Sequence, residues 1–320
     1  MDVILPESLP LPLPAAASWG EAEKILASFF MNARSPLTAR EYRLAAGELF
    51  RFLGSEITGP EDLRRHHVIA YRKSLELRGL ANKTILKKLS GISSLCKFLA
   101  EAGLIERDLT YGISRPRAEN RRETAAIDDK DVAKILESIK PRHYVEASHR
   151  AILSVGFFTG LRSNEIRQLK IGDIGAVTGI KILRLKIKGD KTHEIPLHPT
   201  VLMALEAHLE VLRTRGFPVD DPKHVLFPSL KTARNVPMSD EAIRYIFNSA
   251  ITRAGIKKDS FRRYSPHSTR ATFTTHLLDT AEVPLEHVQA ALGHASPETT
   301  QSYNKRKRGH DKSAVWKIEF

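Results

Sequence analysis

Residues 183–188 read Leu-Arg-Leu-Lys-Ile-Lys, followed by Gly189-Asp190 and by Lys-Thr-His-Glu-Ile-Pro-Leu at 191–197. Apolar and basic side chains alternate strictly over the first six positions, the period-2 signature of a strand with one buried face. Gly-Asp is a tight-turn dipeptide, so residues 191–197 are expected to return as the second strand of an antiparallel hairpin. Arg184, Lys186 and Lys188 then share one face, opposite Leu183, Leu185 and Ile187. This is the one clear β signal in 320 residues. The remaining pattern is helical, so the expected class is mainly α with a small antiparallel β-sheet, an α+β fold.

Downstream of the hairpin, three- and four-residue spacings predict helices at 201–213, 240–254, 269–278, 285–292 and 297–303. Upstream, a helix is expected over 151–169, broken at Thr159-Gly160, and another over 128–139 with acidic residues in its first turn. Residues 114–124, Ser-Arg-Pro-Arg-Ala-Glu-Asn-Arg-Arg-Glu-Thr, carry a proline and six charges and read as a basic linker. Residues 19–113 form an all-helical unit of about four helices. The first spans 21–30, and Ser35-Pro36 opens the second, which runs through Tyr42, Leu44, Leu49, Phe50, Phe52 and Leu53. The third covers 61–77, and the fourth runs from Asn82 to near Gly103 with Ile85, Leu89, Ile92, Leu95, Cys96 and Leu99 on one face. Residues 1–18 read as a flexible, proline-studded arm.

Fifty Lys and Arg against 37 Asp and Glu give a net charge of +13. Residues 1–115 carry 16 of the basic and 13 of the acidic side chains, so most of the excess lies in the second part of the chain. A basic excess of this size suits a polyanionic partner, nucleic acid first. The single cysteine, Cys96, excludes a disulfide framework and any multi-cysteine zinc site. With no His-Glu-x-x-His either, no metal site is expected. Neither phosphate-binding glycine motif of nucleotide enzymes is present. No apolar run approaches the roughly 18 residues of a membrane helix, and the N-terminus lacks a basic signal-peptide region. The expected setting is the cytoplasm, with no membrane partner.

Five short segments carry the chemistry: Thr159-Gly-Leu-Arg-Ser-Asn-Glu165, Lys188-Gly-Asp-Lys191, Pro266-His-Ser-Thr-Arg270, Leu292-Gly-His294 and Tyr303-Asn304. In this order they resemble the tyrosine recombinase (phage integrase) family, with its arginine in T-G-x-R, hairpin lysine, H-x-x-R, L-G-H and tyrosine. His294 and Tyr303 stand nine residues apart, as in that family. The helical first part resembles the family's core-binding domain, so the likeness spans about residues 20–303 in a Xer-like two-domain layout. It implies a helical DNA-binding domain at 19–113, the linker at 114–124, a catalytic domain at 125–303 and a tail at 304–320.

The residue types suit a phosphodiester. A tyrosine hydroxyl is a workable nucleophile, although its pKa near 10 keeps it protonated at neutral pH. Two forked, permanently charged guanidiniums, Arg162 and Arg270, match the charge that builds on a pentacoordinate phosphorus. His267 and His294 can donate to the phosphate or accept the tyrosine proton. By alignment with the family motif Lys188 is the general acid for the leaving 5′-oxygen, with Lys191 as the fallback. Glu165, three residues after Arg162, can orient it or form a plain surface ion pair with it. Taken singly, each has a structural reading too: Arg162 as a neutraliser of a helix end, Lys188 as a strand-face charge, the histidines as packed residues, Tyr303 as a half-buried amphipath.

The resemblance implies a site-specific recombinase that needs no cofactor and forms a 3′-phosphotyrosyl bond to duplex DNA. Its role would be integration, excision, inversion or dimer resolution, in a prokaryotic nucleoid and as part of a mobile element or chromosome. It also implies a C-shaped grip with Arg40, Lys83, Lys87 and Lys191 on DNA, a dimer on each site, a tetramer at synapsis and an accessory directionality factor. A type IB topoisomerase shares the covalent step, and a DNA-binding protein with a vestigial site is the non-enzymatic alternative. In the tail, Trp316, Ile318 and Phe320 alternate with Lys317 and Glu319, a short half-buried strand expected to dock on a neighbouring protomer.

Overall fold

The computed structural model describes residues 20–117, 124–140, 144–187, 191–229, 235–257 and 264–293. The chain divides into two units, Met1–Arg121 and Arg122–Phe320. In the first, α1 (Gly20–Met31), α2 (Pro36–Leu53), α3 (Arg65–Leu77) and α4 (Asn82–Glu101) pack around one core. Ser35 caps α2, its hydroxyl accepting from the Thr38 N–H at 3.1 Å, and Pro36 follows at the first helical position. The α4 stripe Ile85, Leu89, Ile92, Leu95, Cys96 and Leu99 is buried as its spacing predicts. Burial pushes the Cys96 thiol up to about 12, so it serves as a small apolar residue rather than a nucleophile.

One local expectation for this unit is corrected. The third helix begins at Arg65 rather than 61. Ahead of it, Asp62 Oδ2 accepts from the Thr58 N–H (2.8 Å), the Thr58 hydroxyl (2.7 Å) and the Gly59 N–H (3.3 Å). A short carboxylate satisfying local donors in this way holds Pro60–Asp62 in a 3-10 turn and delivers Leu63 to the core. On α2, Leu44 and Phe52 are exposed, and the small Ala45 and Ala46 take the buried stripe instead. The reason is close packing: a Cβ on Gly91 of α4 would lie 2.9 Å from Ala45 Cβ, leaving no room for a larger side chain there.

In the second unit α5 (Asp129–Ser138) and α6 (Tyr144–Thr159) precede a one-and-a-half-turn α7 (Ser163–Gln168). The sheet follows as β1 (Ile174–Val177), β2 (Ile180–Ile187) and β3 (Lys191–Pro196), antiparallel in the order β1-β2-β3. Then come α8 (Pro199–Thr214), α9 (Asp240–Arg253), α10 (His267–Thr275), continued by a π-helical turn at His276–Thr280, and α11 (Leu285–Leu292). The fold is therefore mainly helical with a small antiparallel sheet. The expected hairpin is present, with Leu185 opposite His193 and Ile187 opposite Lys191. It gains a third strand that its composition hid. Ile-Gly-Ala-Val is too short and too small to signal a strand, and it pairs with β2 through a two-residue turn in which Thr178 and Gly179 both have positive φ. The helix expected from 151 starts at Tyr144; among its polar early residues Ser148 is buried and Arg150 is half-buried and bonded. Arg150 Nη1 donates to the carbonyls of Leu136 and Ile139 at the end of α5.

α6 packs along α8, and between them lies a fully buried His208. Its Nε2–H donates to the Leu226 carbonyl at 2.7 Å, so Nδ1 accepts from the Ser148 hydroxyl at 3.0 Å. Burial lowers its pKa to about 4, partly offset by the Leu226 carbonyl. The unfolded chain takes up this proton below about 6.5 while the folded chain resists until about 4, so stability falls as pH drops through that window. His149, lowered by burial and Arg253, adds in the same direction. Urea unfolding is expected to show a loss of about 2 kcal/mol between pH 7 and pH 5 from His208 alone. A His208→Gln variant should show a flatter pH slope.

Candidate active site

The site is built on a turn between α6 and α7. Thr159 ends α6 with its hydroxyl donating to the Val155 carbonyl at 2.6 Å, and Gly160 follows at φ +65°. That conformation already favours glycine, and contact demands it. A Cβ there would lie 2.6 Å from Phe273 Cδ1 and 2.8 Å from Leu292 Cδ2. The sharp reversal brings Arg162 to the start of α7. Its backbone N–H donates to Glu165 Oε2 at 2.7 Å, and its Nη1 donates to Glu165 Oε1 at 2.8 Å. One carboxylate thus caps the helix and aims the guanidinium, which stays 41% exposed.

Arg270 lies on α10 and is the largest fully buried side chain among the described residues, 1% exposed. Nη1 donates to the Gly160 carbonyl at 2.6 Å and Nη2 to the Leu292 carbonyl at 3.0 Å. The second acceptor sits at the C-terminus of α11, where the last carbonyls lack helical partners and the dipole favours a cation. Gly293 ends that helix in the left-handed region at φ +61°. α10 is also unusual in burying Ser268, Thr269, Thr272, Thr274 and Thr275. Several of these are bonded locally: Thr269 to the Pro266 carbonyl (2.8 Å), Thr274 to the Arg270 carbonyl (2.8 Å), and Thr272 accepting the Ile127 N–H (2.8 Å).

His267 is the first residue of α10, with its ring reaching solvent. Partial burial and then the nearby positive charges of Arg162 and Arg270 hold its pKa below the usual histidine value. The imidazole is therefore neutral at pH 7, able to accept a proton. Two arginines, a neutral histidine and a helix N-terminus converge here, an arrangement suited to an oxyanion. Of the site residues expected from the sequence, Arg162, Glu165, His267 and Arg270 come together. Lys188, His294 and Tyr303 lie outside the described residues, as do the segment 297–303 and the tail. Lys191 begins β3, opposite Ile187. On the first unit Arg40 and Lys83 are exposed, and Lys87 is exposed while paired with Glu41 at 2.7 Å. Such a surface pair contributes little and can open for a phosphate.

One residue near the site escaped the sequence reading. His193, in β3, has its Nε2 3.0 Å from the Ala291 carbonyl, one residue before the carbonyl that Arg270 takes. A lone histidine in a strand gives no periodic signal, and only the placement of α11 reveals this contact.

Comparison with known proteins gives a consistent result. Residues 125–310 match the phage integrase family, and residues 29–103 match the N-terminal SAM-like domain of phage integrases. The chain is 27% identical over 270 residues to tyrosine recombinase XerC of Pseudomonas syringae pv. syringae, covering 84% of this chain and 85% of that protein. It is also 27% identical to XerD of Listeria innocua over 248 residues, covering 77% and 80%. In fold it is similar to the XerH site-specific recombinase bound to palindromic difH in a post-cleavage complex, at a TM-score of 0.69 and 22% identity. That alignment covers 94% of this chain and 85% of that one. A lambda integrase dimer bound to a COC′ core site aligns at a TM-score of 0.67 and 17% identity, covering 92% and 80%.

Proposed function

Because the chain belongs to the phage integrase family, we propose that its active site performs site-specific recombination by cleaving and rejoining duplex DNA through Tyr303. The observation that carries this is the cluster of Glu165-held Arg162, neutral His267 and buried Arg270 at adjoining helix ends. Such a cluster is built for the crowded anion of phosphoryl transfer. The Tyr303 oxygen forms a bond to phosphorus as the bond to the 5′-oxygen breaks. His267 or His294 takes the tyrosine proton. Lys188, or Lys191, supplies a proton to the departing oxygen. The resulting 3′-phosphotyrosyl bond keeps the energy of the phosphodiester, so a second 5′-hydroxyl can reverse the attack without ATP.

Several further elements belong to this reading. Arg40, Lys83, Lys87 and Lys191 bind DNA phosphates, and binding weakens steeply with salt. The protein acts as a dimer on each site and a tetramer at synapsis, with residues 314–320 docking on a neighbouring protomer. It works in the cytoplasm at the nucleoid. Among the described residues, no helix is long and apolar enough to cross a membrane.

The test uses duplexes with randomised half-sites, selected by retention on the protein, then nicked beside the cleavage position so that religation fails. Denaturing gels are expected to show a covalent protein–DNA adduct, and peptide mapping should place the nucleotide on Tyr303. Attachment to any other residue would overturn the mechanism.

A further inference from the structure

We propose that His193 is a positioning residue for strand cleavage: its Nε2–H, bonded to the Ala291 carbonyl, fixes the β2–β3 hairpin against the C-terminus of α11. The inference rests on the reading that Lys188 or Lys191 of that hairpin is the general acid.

Alternation along β3 puts residues 193 and 195 on one face, where Ile195 is buried, and Leu197 just past the strand end is buried too. The opposite face carries Glu194, which accepts from Arg184 Nε at 2.8 Å across the ladder. A half-buried histidine on the core face must find a polar partner. It finds one in a carbonyl that α11 cannot satisfy itself, because the last turn of a helix leaves its acceptors free. Since a carbonyl only accepts, Nε2 carries the hydrogen.

The next carbonyl along, Leu292, accepts from Arg270. Consecutive carbonyls of one helix end therefore hold two parts of the site: the strand that leads back to Lys191 and Lys188, and the arginine on the site floor. Lys191 is two residues from His193, and Lys188 five. Anchoring the strand here ties the described end of the hairpin, two residues from Lys191, to the same helix end that seats Arg270. A hairpin released from it loses that tie, and misplacement on the order of 1 Å is costly for proton transfer. Arg184 and Glu194 are too exposed to supply the same restraint.

The experiment compares cleavage of an ordinary duplex with one whose scissile 5′-oxygen is replaced by sulfur. A thiolate leaves without a proton, so the sulfur substrate bypasses the general acid. His193→Leu is expected to cleave the oxygen substrate about 10- to 100-fold more slowly, less than the ~10²–10⁴ lost with the acid itself. On the sulfur substrate its rate should return to near wild type. His193→Gln, which keeps an N–H donor, should retain most of the oxygen rate. Wild-type oxygen cleavage by His193→Leu, or equal slowing on both substrates, would overturn the proposal. Lys188→Ala and Lys191→Ala separate the two levels. If sulfur rescues a lysine variant but not His193→Leu, the positioning role falls and the general-acid reading stands. If sulfur rescues neither lysine variant, both fall.

Discussion

A Tyr303→Phe protein is expected to bind its DNA with unchanged affinity and to form no covalent adduct, a loss of at least about 10⁴-fold in cleavage. The substitution deletes one oxygen atom and no positive charge. Affinity for the duplex comes from cations on phosphates, so it should be untouched, as should its salt dependence. Cleavage has no substitute route of similar speed. Water is the other nucleophile at hand, but it is not tethered beside the phosphorus and forfeits the advantage of an intramolecular attack. Water would also leave a free 3′-phosphate with the bond energy spent, so any residual product would be nicked and not rejoined. Gel-shift and suicide-substrate assays on the same preparation check both halves. An adduct that persists in Tyr303→Phe would remove Tyr303 from the mechanism.

The particular elements show which features can be read from sequence. The 183–197 hairpin was legible because alternation of apolar and charged residues survives into three dimensions wherever one face is buried. β1 was not, since an edge strand of Ile-Gly-Ala-Val is held by backbone pairing rather than by side-chain pattern. The α4 stripe was legible for the same reason as the hairpin. The start of α6 was harder because its interface with α8 buries polar residues, Ser148 on α6 and His208 on α8. Hydropathy reads such residues as solvent-facing until their hydrogen-bond partners are known. In the site, Arg162 and Arg270 stand 108 positions apart in the chain, and order of motifs alone marks them. Gly160 explains why the motif needs its glycine: the backbone turns left there, and Phe273 and Leu292 fill the space of a Cβ. His193 shows the converse, a role that depends on a long-range carbonyl and has no local signature.

Arg270→Lys is the second substitution with a large expected effect, lowering cleavage by about 10³-fold or more while leaving DNA binding nearly intact. The guanidinium spans two carbonyls, Gly160 and Leu292, from two nitrogens of one rigid plane. An ammonium is a point donor at the end of a flexible stem and cannot reproduce that fork. Burial at 1% exposure makes the exchange worse, because a desolvated lysine drifts towards its neutral form and the site then loses a permanent charge. Each carbonyl left without its donor costs roughly 1–3 kcal/mol, so the second unit should also melt earlier. This stability loss must be separated from the catalytic one. Thermal denaturation measures the first, and cleavage at a temperature where both proteins are fully folded measures the second. If the variant cleaves at wild-type rate while folded, Arg270 is a strut that joins α6, α10 and α11 and nothing more. If it is folded, DNA-bound and inactive on oxygen and sulfur substrates alike, the same guanidinium both holds the helix ends together and stabilises the phosphoryl transition state. Its position makes the dual role economical: the two bonds to the Gly160 and Leu292 carbonyls fix the orientation of the whole guanidinium plane.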